Sequence, residues 1–181
     1  MNIQQWSLLL GVVLLVKGLF TLAAREPATR MTRAFSRHVW AGRVLSTLAW
    51  IWAGWALYSM PLELLVPIRK AIPLLTLAAI PLTWYWMPEL LSCRALGGLM
   101  TLFPHPLLLA VRAHPSAWRL TLVILAYTSI VAGMTLILYP YYLRRALDWF
   151  AARPERMRLC GTASLLLGAL LAALGFTVFA G

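Results

Sequence analysis

Trp6 to Ala24 is a run of 19 residues in which Lys17 is the one charge inside the apolar stretch. As a helix rising about 1.5 Å per residue it reaches about 28 Å, close to the thickness of a hydrocarbon core. Three comparable runs follow: Val44 to Met60, with Trp50, Trp52 and Trp55 and a stop at Pro61, then Arg119 to Tyr139, then Leu159 to Ala180. Two weaker runs lie between them. Ala71 to Met87 is broken by Pro73 and Pro81 and ends in an aromatic belt, Trp84-Tyr85-Trp86. Leu90 to Val111 contains Arg94, Gly97-Gly98 and Pro104-His105-Pro106. A chain of 181 residues that is 62% hydrophobic and 12% charged cannot hide these runs in one aqueous core. The pattern predicts an all-α fold, a polytopic membrane helix bundle in a single integral membrane domain. Hairpins 6–60 and 119–180 would flank a broken helix pair, 71–111.

Charge decides how such a bundle sits. Sixteen basic residues stand against five acidic ones, a net +11. In a soluble protein that excess would point to nucleic acid; in a chain this apolar it reads as an orientation signal and as contact with anionic lipid, so no nucleic-acid partner is expected. If 71–87 crosses and 90–111 does not, giving five spans, the basic residues split eight against seven. If both cross, eleven share one side (Arg25, Arg30, Arg33, Arg37 and Arg43, Arg94, and Arg144, Arg145, Arg153, Arg156 and Arg158) against four opposite. Positive-inside bias therefore predicts six spans, with both termini on the non-cytoplasmic side. Four spans, with 61–118 as a re-entrant region, are the fallback, at ten against five. Fourteen of the sixteen basic residues are Arg, which points to a GC-rich, bacterial source and to the cell inner membrane. The first run has no basic segment before it and carries Lys17 within it, so it reads as a retained span, not a cleaved leader.

Three features invite function. The two basic loops pattern as short amphipathic helices: Arg30, Arg33 and Arg37 share one face, and Arg144 and Arg145 oppose Leu143, Leu147 and Phe150. Each Arg beside an anionic leaflet is worth about 1 kcal/mol, so these five are candidate contacts for anionic lipid or a partner. Gly161, Ser164, Gly168, Ala172 and Gly175 fall three and four residues apart, a strip of small side chains where a second helix can approach closely. Gly42, Ser46, Ala49 and Ala53 form a comparable strip. Third, Arg94 and His105 bracket the glycine pair and adjoin the proline pair of the broken segment. A charge and freed backbone groups inside a membrane need partners, which makes both residues candidates for a binding site.

Catalysis finds little material. There are no paired carboxylates on a span, no metal-ligand spacing and no phosphate-binding glycine loop. His38, His105 and His114 fall at different depths, which argues against haem held by two of them, and no cofactor is expected. Cys93 and Cys160 read as reduced structural thiols. The leading expectation is a non-catalytic accessory or structural subunit gripping other membrane subunits, or a copy of itself, through its small-residue strips. A small transporter or channel protomer using the broken middle helices is the alternative, and a membrane anchor of a quinone-linked enzyme the third.

Overall fold

The computed structural model describes residues 2–24, 39–60, 67, 69–87, 91–112 and 114–179. Among them are eight helices and no strands: α1 (Ile3–Ala23), α2 (Val39–Ser59), α3 (Ile72–Trp86), α4 (Leu91–Leu102), α5 (Pro104–Arg112), α6 (Arg119–Leu138), α7 (Tyr141–Ala151) and α8 (Pro154–Thr177). The protein is all-helical, and four of its helical stretches are long and apolar enough to cross a membrane: α1, α4 with α5, α6, and α8. This set differs from the four strongest runs of the sequence. α2 has the length, at 21 residues, but it carries Arg43, four tryptophans and Tyr58, which dilute its apolarity. α3 is apolar but has 15 residues, about 22 Å of helix. The doubtful run 90–111 joins the spanning set because its prolines do not stop the helix. The chain turns once at Phe103, and Pro104 then opens α5, where a missing N–H would have had no helical partner anyway.

Two compact units divide the chain. The first holds α1, α5, α6 up to Ser129, α7 from Arg144, and α8; the second holds α2, α3, α4 and α6 from Ile130. In the first unit α1 and α8 pack as an antiparallel pair. Leu8 lies against Gly175, Gly11 against Gly168 and Ala172, and Gly18 against Gly161 and Leu165. The approach is so close that a Cβ built on Gly168 would stand 2.9 Å from both the Gly11 carbonyl oxygen and the Leu15 nitrogen. Backbone cannot yield there. Ser7 Oγ donates to the Leu171 carbonyl at 2.6 Å, satisfying a buried hydroxyl where lipid offers no acceptor. Away from this seam, Ile3, Trp6, Leu107, Leu122 and Leu174 form the buried cluster of the unit, with Trp6 edge-on to Phe103 at 5.4 Å.

In the second unit α2 runs parallel to α4, with Gly42 against Leu91 and Ser92 and Ala49 nearest to Gly98. α3 runs antiparallel to α2, with Gly54 against Thr76 and Trp84 Nε1 donating to Ser46 Oγ at 3.0 Å. The C-terminal half of α6 runs antiparallel to α4 through a glycine crossing, Gly97 on Gly133. Pro81 sits inside α3 and removes one helical hydrogen bond, which leaves that helix the weakest local structure of the three.

The outward faces are apolar. Tyr85 is 82% exposed, and Trp55 and Leu166 are each 73% exposed. A water-soluble monomer does not show contiguous apolar surface on this scale, whereas a bilayer makes it ordinary.

Candidate functional site

The second unit contains a cavity of about 430 Å³ between α2, α3 and α4, within the size range of small-molecule sites. Its walls are mostly alkyl and aromatic: Ala49, Trp50 and Ala53 from α2, Leu91 and Leu102 from α4, and Ile137 from α6. It exists because the residues facing it are small. A Cβ on Gly98 would find only the Ala49 Cβ, at 3.7 Å, so the α2 strip that closes on α4 at Gly42 stays open around Ala49 and Ala53.

One charged group lines this cavity, Arg94. It sits in the first turn of α4, part-buried, and its Nη1 lies 3.1 Å from the Met87 sulfur at the end of α3. A thioether is a weak acceptor. The Arg94 Nε is shielded from solvent and has no hydrogen-bond partner among the described residues. The hydroxyls on the walls are already engaged. Thr83 donates to the Ala79 and Ile80 carbonyls, Thr101 to Gly98 and Ser46 to Arg43. The described acidic residues, Asp148 and Glu155, both belong to the first unit, while Glu89 lies outside the described residues. Beside this cavity Arg43 stacks near the Trp84 and Trp40 rings, at 5.5 and 5.6 Å. Antiparallel and parallel pairing thus gather Arg43 (start of α2), Met87 (end of α3) and Arg94 (start of α4) at one end of the unit.

The chemistry on offer is narrow. A guanidinium is a planar fork of donors that matches carboxylate or phosphate oxygens, and here it opens onto an apolar chamber. No carboxylate, imidazole or thiol lines that chamber, so among the described residues it has the means to bind but not to exchange protons. No group of three or more metal-ligating side chains occurs among the described residues.

Other sequence candidates fall elsewhere. His105 is exposed in the first turn of α5 and belongs to the first unit, whereas Arg94 belongs to the second. His114 packs edge-on to Phe179 at 5.2 Å and accepts from the Ser116 N–H. His38 and the basic cluster Arg30, Arg33 and Arg37 lie outside the described residues. Arg144 and Arg145 fall on α7, with Arg145 exposed. Cys93 is fully buried and Cys160 part-buried, both as free thiols. The small residues of α8 face α1 of the same chain, an assignment the sequence left open. The matching groove on α1, Ser7, Gly11 and Gly18, was overlooked; spacings of four and seven are its signature, masked by the larger residues between. Comparison with protein-family models, with curated proteins and with solved structures finds no match for this chain.

Proposed function

We propose that this chain is a six-span protein of a bacterial inner membrane that binds a hydrophobic anion in the cavity of its second unit, as a small transporter or carrier protomer. The observation that carries this reading is the Arg94 Nε, a charged donor without an acceptor among the described residues, beside an apolar chamber. An unsatisfied buried donor costs about 1–3 kcal/mol, and more when charged, so a site that keeps one is explained by a ligand that completes it. The anion would lay its alkyl body against Trp50, Leu91 and Leu102 and its carboxylate or phosphate against the guanidinium.

Several features support the topology. α3 and α4 each lie alongside α2 over about two turns, α3 from Ser46 to Gly54 and α4 from Gly42 to Ala49, which favours all three crossing together. The first and last of the long helices, α1 and α8, run antiparallel, as an even number of spans requires. The antiparallel α1–α8 pair sets the end of α1, which leads in sequence to Arg25–Arg43, at the same end as the start of α8, with Arg153, Arg156 and Arg158. That is the end positive-inside bias assigns to the cytoplasm, leaving both termini opposite. The accessory-subunit reading drew its grip from the small-residue strips. With the α8 strip engaged by α1 within the chain, that reading loses its main support, and the cavity favours the alternative.

The test is binding and flux with the purified full chain in liposomes, using dodecyl phosphate and dodecanoate against dodecyltrimethylammonium. Saturable binding of the anions, weakened about tenfold or more by Arg94→Met and less by Arg94→Lys, is expected for the loss of a charge-assisted pair. Unchanged binding by Arg94→Met removes the proposal. A gain in anion binding by Glu89→Gln would instead make Glu89 the partner of Arg94, and binding without flux would restore a non-transporting role.

A further inference from the structure

The first unit carries a second opening, unrelated to the cavity described above. It is a groove of about 490 Å³ bounded by α1, α7 and α8. Leu14 of α1 and Leu159, Ala163 and Leu167 of α8 form its apolar floor. Leu159, Ala163 and Leu167 follow one another at intervals of four, so the floor runs along the helix for about 12 Å. Its polar lining is one-sided: Lys17, Arg156 and Ser164, with no carboxylate among the residues that line it.

Each of these three groups is notable for how it is satisfied. Lys17 lies six residues before the end of α1, about 9 Å along the helix, within a stretch that can span a membrane. Its ammonium has no partner among the described residues, although an intramembrane charge ordinarily has one. Ser164 makes no hydrogen bond among the described residues, whereas Thr162 and Thr177 on the same helix donate back to the Leu159 and Ala173 carbonyls. Thr21, one turn from Lys17, likewise donates to the Lys17 carbonyl. Back-bonding is the default for hydroxyls on apolar helices, so the free Ser164 stands out. Arg156 is held in place by the carbonyl of Trp149, at 3.1 Å, and lies 3.8 Å from the Trp149 ring centre. That stacking fixes the guanidinium at the mouth and leaves other donors of its fork unused.

We infer that this groove is a binding site for an anionic phospholipid, whose phosphate meets Lys17 and Arg156, whose ester carbonyl accepts from Ser164 deeper along α8, and whose acyl chain continues over Ala163 and Leu167. Three features commit the occupant to lipid. The donors are all positive or neutral, and among the described residues Lys17 and Ser164 have no acceptor while Arg156 has one, the Trp149 carbonyl. Lys17 stands at a depth that a soluble acidic segment does not reach, and Leu159, 69% exposed, opens the floor sideways to the hydrocarbon. The groove also lies at the arginine-rich end of the α1–α8 pair, where anionic lipid is drawn by the surrounding charge. The site is independent of the Arg94 cavity and stands or falls without it.

The experiment uses the purified full chain, delipidated in mild detergent and then offered mixed micelles of phosphatidylglycerol or phosphatidylcholine, with bound lipid counted by native mass spectrometry. One phosphatidylglycerol per chain should survive at collision energies that strip phosphatidylcholine. Lys17→Met and Arg156→Gln should each weaken that retention about tenfold, the loss expected for one charge-assisted contact, and Ser164→Ala should weaken it less. Arg112→Gln, which changes a charge on α5 that does not line the groove, should retain the lipid as the parent chain does. Helical circular dichroism on heating confirms that each variant is folded. Because Met is at home in an apolar span, Lys17→Met is not expected to unfold the protein. Equal retention by the Lys17→Met, Arg156→Gln double variant overturns the proposal. So does displacement by inorganic phosphate at millimolar concentration, which would mark an anion site indifferent to acyl chains, and so does a change of oligomeric state without any change in bound lipid, which would make a second copy the occupant.

Discussion

The α1–α8 seam and the α2–α4 face are built from the same kind of sequence, small residues at intervals of three, four and seven, and they come to opposite ends. Along α1–α8 a glycine on one helix meets backbone or a branched side chain of the other at each step, from Gly175 to Gly161. Along α2–α4 the approach is tight at Gly42 and relaxes by Gly98, and the relaxed part is the cavity. Small residues permit closeness without enforcing it. What decides is the facing helix: α8 offers Gly168 and Ala172 to Gly11, while α4 brings Gly98 opposite Ala49, so two small residues face each other with nothing to fill the gap. In lipid no hydrophobic force pulls such a gap shut, because an acyl chain solvates it as well as a leucine does.

The sharpest way to break this contrast is to add atoms to the seam. Gly168→Val places a branched side chain where a Cβ alone would already sit 2.9 Å from two backbone atoms. The pair would have to separate, with a loss of about 3 kcal/mol or more, at the upper end for overpacking. Reversible unfolding in detergent mixed micelles measures it. Gly97→Ala belongs to the same class, since its Cβ would lie 2.7 Å from the Gly133 carbonyl oxygen. If Gly168→Val unfolds like the parent chain, the seam is not the stabilising element proposed here.

A smaller effect, of opposite sign, is expected at Arg94. Replacing a charged donor that lacks an acceptor among the described residues by an apolar side chain of similar length relieves a desolvation cost, so Arg94→Met should stabilise the ligand-free protein by about 1 kcal/mol while weakening anion binding about tenfold or more. Stability and function traded at one position are characteristic of binding sites. A loss of stability in the same assay would show that Arg94 is paired within the chain.

How much of this was legible follows from where the information resides. Helix content and the apolar stretches of α1, α6 and α8 are written in local composition, and they could be read from it. The fate of 90–111 was harder: Pro104 and Pro106 look like a stop but begin a helix, a distinction that depends on whether the chain turns at Phe103. The strip Gly161–Gly175 announced a close neighbour without naming it, because a small-residue strip is indifferent to its partner and pairing with α1 spans more than 140 residues of sequence. Arg94 was singled out by its cost in a membrane, but its chamber was not foreseen. A cavity is an absence of matching side chains from three helices, and no single stretch of sequence carries it. His105 was grouped with Arg94 by nearness in sequence, yet the turn at Phe103 assigns them to different units.

The smallest effect should come one residue from one of the largest. Gly97 and Gly98 are adjacent, identical and equally suggestive as sequence, but a helix turns about 100° between neighbours, which carries Gly97 onto the Gly133 crossing and Gly98 onto the cavity wall. A methyl group on Gly98 reaches only ordinary contact with Ala49, and alanine is the better helix former. Gly98→Ala should therefore stay within about 0.5 kcal/mol of the parent chain or gain slightly, while Gly98→Leu, which projects into the chamber, should leave the fold standing and exclude the dodecyl anion. Unfolding and binding measured on the same two variants would separate packing from occupancy. If Gly98→Ala proved as damaging as Gly97→Ala, α4 would be closed against α2 along its whole length, and the chamber that gives Arg94 its meaning would not exist in the folded protein.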